Sequence, residues 1–136
     1  MQPDMQSKMK YLELIQAIVS RLANSMLVTK GWSISITSAL TALSASTKDR
    51  SFVQLALFPA ALFWILDGYF LAQERQFRSL YDEARKKDAS QIDLSLNAMP
   101  QKRSQAIMGW LAGMLSPTGI LFHGTIVAVL LALMFR

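Results

Sequence analysis

Three runs of this sequence carry no formal charge: Gly31–Thr47 with 17 residues, Ser51–Leu66 with 16 and Ser104–Phe135 with 32. A helix rises about 1.5 Å per residue and needs about 20 mostly apolar residues to cross about 30 Å of hydrocarbon. The first run is just long enough, with Trp32 placed as an interfacial anchor. The second reaches spanning length if the helix continues through Asp67 toward Ala72. The third is too long for one crossing and carries its own break at Ser116-Pro117, where Ser suits a helix N-cap and Pro the first helical position. Only 17% of the 136 residues are charged, against about 25% in soluble domains. Three such segments in a chain this short leave too little polar surface to cover them in water.

The expected architecture is therefore an all-α membrane protein with three transmembrane helices. Residues 1–30 form a cytoplasmic amphipathic helix, 31–47 the first crossing, and 51–87 the second crossing with a cytoplasmic extension. Residues 88–115 form a cytoplasmic loop and interfacial segment, and 117–135 the third crossing. Leu12, Ile15, Val19, Leu22 and Met26 recur at helical spacing, so the N-terminal helix lies on the membrane or packs on another helix. The matching stripe is Phe70, Gln73, Phe77, Leu80 or Tyr81, and Ala84. Ile92, Leu94 and Leu96 alternate with polar residues, which fits a short strand or an ordinary loop. No cleavable leader is expected, because no continuous apolar core occupies residues 1–30.

Basic residues set the orientation. Eleven of the 14 Lys and Arg fall before residue 31 or between Gln73 and Ser116, leaving Lys48, Arg50 and Arg136 for the other side. This bias puts the N-terminus and the long loop in the cytoplasm, and the Lys48–Arg50 turn and the C-terminus on the other side of the membrane. A topology of two crossings, with the last helix merely docked, leaves the C-terminus inside.

Within the crossings, Ser33, Thr37, Thr41 and Ser44 share one helix face and are candidates to line a pore. Close helix packing is the alternative use of the same residues. A separate side is built from small residues: Ser35, Ser38, Ala39, Ala42 and Ser46. Asp67, the one carboxylate within a crossing, lies about 24 Å along its helix from Ser51. Lys30 starts the neighbouring crossing at a similar level, so the two are candidates for an interfacial ion pair or a gate. Pro59 removes a backbone donor and is a candidate hinge. His123 reads as a packing residue, and Gly124, Ala128 and Ala132 form a small-residue ridge. Arg85, Lys86, Lys87, Lys102 and Arg103 flank one loop and are candidates for an anionic ligand, or for lipid headgroups. With no Cys and one His, thiolate, iron–sulfur and two-histidine metal sites are excluded. No catalytic motif is present, and neither enzymatic activity nor a cofactor is expected.

The runs KGWSISITSALTALSA (30–45), ALFPAALFWILDGYFLAQERQFRSLYDEARKK (56–87) and LSPTGILFHGTIVAVLLALMF (115–135) resemble a family of small bacterial multi-pass membrane proteins linked to anti-phage defence. The chain is similar to the membrane channel effectors of Hailong systems, a likeness that implies a bacterial inner membrane with the C-terminus in the periplasm. The resemblance covers nearly the whole chain and rests on hydrophobic patterning and the LDGYFLAQERQFRSLYD segment. It implies a homo-oligomeric ion channel, since three crossings cannot enclose a pore and a ring of four or more copies is needed. It also implies control by a nucleotide or single-stranded DNA oligomer from a partner nucleotidyltransferase, and depolarisation on opening. A non-conducting membrane anchor or adaptor that recruits a cytoplasmic partner is the competing expectation.

Overall fold

The computed structural model describes residues 4–136, which are helical throughout apart from short connections and the extended stretch 92–100; no strand occurs among them. Helix α1 runs from Met5 to Thr47 without interruption, rather than as two segments divided at Lys30. Nothing between Lys30 and Trp32 breaks it, since one exposed glycine in a long helix costs only about 1 kcal/mol. Asp4 caps its start by accepting the Ser7 N–H at 2.8 Å. Hydrogen bonds from Ser7 hold the Asp4 carboxyl below its usual pKa.

Lys48, with φ 59°, ends α1 in the left-handed conformation, and the chain reverses in a tight turn. Ser44 donates to the Asp49 carbonyl at 2.7 Å and Asp49 accepts the Ser51 N–H at 2.9 Å. That backbone bond holds the Asp49 carboxyl below its usual pKa. Helix α2, Ser51–Lys86, then returns antiparallel to α1 and continues through Pro59. At its far end Lys8 Nζ donates to the Arg85 and Lys87 carbonyls at 3.2 and 2.6 Å. These carbonyls have no partner within the helix, and a cation there also opposes the helix dipole.

Two apolar clusters form the core, one on the antiparallel pair and one between α2 and the C-terminal helix. The first buries Tyr11, Ile15, Val19, Ala84 and Ile92, so the amphipathic stripe of α1 is seated on the extension of α2. Tyr11 also donates to the Ser95 carbonyl at 2.5 Å. Burial, then the nearby Asp93, raises its phenol pKa. Ile92 is the inward residue of the alternating segment, while Leu94 and Leu96 are exposed and no strand forms. The second cluster joins Val53, Ala56 and Ala60 of α2 to Leu130.

Between these ends, α3, Arg103–Met114, lies against α2. The crossing point is Gly68 on Gly113, where a Cβ on Gly113 would meet the Gly68 carbonyl. Trp110 donates to the Ile65 carbonyl at 3.0 Å and Trp64 to the Met114 carbonyl at 2.9 Å. The second bond satisfies an acceptor that a helix C-terminus leaves open. Ser116 then accepts the Gly119 N–H at 3.1 Å and starts α4, Pro117–Phe135. One turn of α4, Ile120–Gly124, is π-helical. Helix α4 runs alongside α1 in the same direction and ends near the Lys48–Arg50 turn. Helices α2 and α4 are long and apolar enough to cross a membrane. Helix α1 is not among them, because eight of the 17 residues from Gly31 to Thr47 are Ser or Thr.

Candidate functional site

The principal polar site lies where α1, α2 and α4 meet. Lys30 Nζ donates to both carboxylate oxygens of Asp67, at 2.6 and 2.7 Å. His123 Nε2 stands 3.2 Å from Asp67 Oδ2. The Asp67 side chain is 6% exposed and that of His123 1%, while Lys30 retains 22%. One face of the imidazole stacks on Trp64, at 6.1 Å and 11° between planes, and Phe122 meets it edge-on at 5.0 Å. The Lys30 ammonium also sits 5.8 Å from the centre of the Phe122 ring, within cation–π range.

Each member is placed by a local feature. Lys30 occupies the helix face that also carries the buried Ser33 and Thr37, so it points at α2. Gly68 lets α3 approach directly behind Asp67. The π turn adds a residue to one helical turn of α4 and rotates the residues beyond it about the helix axis, a device that recurs at functional positions. Here it contains His123. The Asp67 and Lys30 side chains thus form an ion pair, and His123 joins them. The histidine is buried as expected, but its partner is a carboxylate 56 positions away. No local pattern in the sequence announces that partner.

The arrangement binds three helices through one charged point. A carboxylate shared by two basic side chains is compensated at short range, which burial of a charge requires. Two buried polar atoms near this level have no protein partner: Ser33 Oγ and His123 Nδ1.

The hydroxyl stripe lies on the packed side of α1. Ser33, Thr37 and Ser44 are buried inside the protomer and Thr41 is half-buried. Thr37 and Thr41 donate back to the Ser33 and Thr37 carbonyls at 2.6 and 2.7 Å. Ser33 and Ser44 face the interior of the protomer, while Thr37 and Thr41 also border the open side between α1 and α4. The opposite side of α1, with Gly31, Ser35, Ser38, Ala42 and Ser46, is the exposed one. Ala128 and Ala132 of the α4 ridge are exposed as well.

Pro59 lies two turns from Asp67 and makes no part of the charged site; α2 is unbroken there. Arg85, Lys86, Lys87, Lys102 and Arg103 are all exposed. Arg85 is 3.6 Å from Asp82. Lys87 borders a cavity of about 200 Å³ that it shares with Glu83 and Asp93, whose carboxylates oppose an anion. Among the described residues no cluster of three or more metal-ligating side chains occurs. No protein-family model, curated protein or solved structure matches the chain.

Proposed function

We propose that this chain is a three-crossing protomer of an oligomeric ion channel in a bacterial inner membrane, with the N-terminus and the 88–115 region cytoplasmic. The observation that carries the reading is the exposed face of α1. Between Gly31 and Ser46 a strip of that face consists of Gly31, Ser35, Ser38, Ala39, Ala42 and Ser46, flanked by the exposed Trp32, Ile34 and Leu43. Lipid chains gain little from such a surface, whereas small residues admit a neighbouring helix closely and hydroxyls tolerate water. Copies meeting there bring Ser35 and Ser38 to a shared axis. The third crossing is inferred from packing, because α1 lies alongside the apolar part of α2 and is tied to it by the turn at Lys48–Arg50. The Lys30–Asp67–His123 cluster then sits at the cytoplasmic end of the crossings, where helix tilting changes its geometry.

The role in anti-phage defence and the gating by a nucleotide or single-stranded DNA oligomer rest on the sequence resemblance. The exposed cations of the 85–103 region are its candidate contacts. Expression in bacteria loaded with a voltage-sensitive dye tests conduction. Wild type depolarises the cells when the system is triggered by phage, Ser35→Leu and Ser38→Leu suppress this, and an exposed control such as Leu55→Phe does not. An unchanged potential with wild type, triggered and untriggered, removes the channel reading. A non-conducting adaptor is the second reading, favoured by Met5, Met9 and Leu14, which are 63%, 58% and 54% exposed on the cytoplasmic part of α1.

A further inference from the structure

Helices α1 and α4 run in the same direction but touch little, and an apolar groove separates them. One lobe, about 460 Å³, is bordered by Thr37, Thr41 and Ala45 with Val129 and Leu130. A second lobe, about 480 Å³, lies between Lys30, Leu121 and Phe122. The lobes join at Ile34, Thr125 and Ile126, which border both. Of the hydroxyl residues along it, Ser38 and Thr118 lie at its borders and three threonines leave its walls largely apolar. Thr37, Thr41 and Thr125 each donate to a carbonyl one turn back, at 2.6, 2.7 and 2.5 Å, and so turn their methyl groups outward.

We propose that this groove binds a glycerophospholipid of the cytoplasmic leaflet, with one acyl chain along it and the phosphate on Lys30. Two observations select this occupant. From Lys30 to Ala45 the groove extends about 22 Å along α1, room for an acyl chain across the ~15 Å hydrocarbon depth of one leaflet with the headgroup at the Lys30 end. Lys30 closes its cytoplasmic end and is the one cation bordering it among the described residues. An ammonium has three N–H donors, and Asp67 takes two. The third is available to a phosphate oxygen at the height where the headgroup lies. Bound lipid would then wedge α1 and α4 at a set separation and touch the charged site through Lys30. This inference rests on α1 and α4 crossing the bilayer, but not on conduction.

The test uses the full chain reconstituted in phosphatidylglycerol–phosphatidylcholine vesicles that contain a phosphatidylcholine with a diazirine in one acyl chain. Cross-linked positions are read by mass spectrometry. Labelling of Ile34–Ala45 and Leu121–Val129 should exceed that of Leu55 and Phe58, which are exposed on α2 at 55% and 70%. Val129→Trp, which fills the groove, should reduce groove labelling to the α2 level, and Leu55→Trp should leave it unchanged. A diacylglycerol carrying the same diazirine chain should label the groove about fivefold less, the value of one lysine–anion contact at a membrane surface. Equal labelling of groove and α2 overturns the site while leaving the crossings intact. Cross-linking between copies through cysteines placed at Ile34 and Val129 assigns the groove to a second protomer and also overturns it. Absence of labelling on every helix overturns both the lipid site and the membrane crossings.

Discussion

Removal of the Lys30 charge should destabilise the protein more than removal of the Asp67 charge, although the two side chains share the same bonds. In Lys30→Met, a carboxylate with 6% exposure keeps only His123. Aspartate is too short to reach the interface, and breaking a buried pair from one side costs about 3–5 kcal/mol. Polar contacts between membrane helices measure at the lower end of expectation, so about 3 kcal/mol is the value for this variant. In Asp67→Asn, the lysine is left without its counter-charge. Its four-carbon stem starts from 22% exposure and can extend toward the headgroups, while the new amide still accepts one bond. The expected cost of that variant is about 2 kcal/mol.

The double variant should cost about 3 kcal/mol rather than the sum of about 5, a coupling near 2 kcal/mol. Reversible SDS titration in mixed micelles measures this. Trp64 fluorescence in a Trp32→Phe, Trp110→Phe background reports it, because Trp64 stacks on His123 at 6.1 Å. Single-variant costs that add to the double within about 0.5 kcal/mol would refute the ion pair as the tie between α1 and α2. Equal costs for the two single variants would refute the role given to side-chain reach.

Gly68→Ala and Gly113→Ala should each loosen α3, because a Cβ at Gly68 would lie 2.9 Å from the Met114 backbone nitrogen. Overpacking of this kind costs about 1–3 kcal/mol, and faster proteolysis within residues 103–115 would register it. Lys8→Met removes two bonds to the carbonyls at the end of α2 and should weaken that terminus by about 0.5–1 kcal/mol; amide exchange across Asp82–Lys87 measures it. The raised phenol pKa of Tyr11 predicts a loss of stability at alkaline pH. The folded state holds this proton more tightly than the unfolded one. The contribution is therefore complete below a phenol's ordinary value of about 10 and falls as pH rises beyond it. Tyr11→Phe should flatten that alkaline slope in thermal unfolding, and an unchanged slope would contradict the assignment.

The placement of the hydroxyl stripe separates two kinds of information. Helical periodicity states which residues share a side of α1, and Ser33, Thr37, Thr41 and Ser44 do share one. It carries no sign for inward or outward, since a helix of small and hydroxyl residues can turn either face to its neighbour. The packing of α1 on α2 chose, and it buried that face and left Gly31, Ser35, Ser38 and Ala42 outside. The same limit applies to His123. Its partner is distant in sequence, and the π turn that contains it has no signature in residue type.

What the sequence determined by itself is local or depends on depth. The charge-free runs Ser51–Leu66 and Ser104–Phe135 hold the apolar parts of α2 and α4, because no charge within them needs water. Ser116-Pro117 defines the start of α4, because a hydroxyl cap and a missing N–H act within one turn. Lys30 and Asp67 were paired by counting rise along two helices joined by a short turn. Only the tertiary structure could make α1 one continuous helix seated along α2, bring His123 to Asp67, and open the groove between α1 and α4. These depend on which side each helix turns to its neighbours, and that is set by packing among all four helices rather than by any one segment.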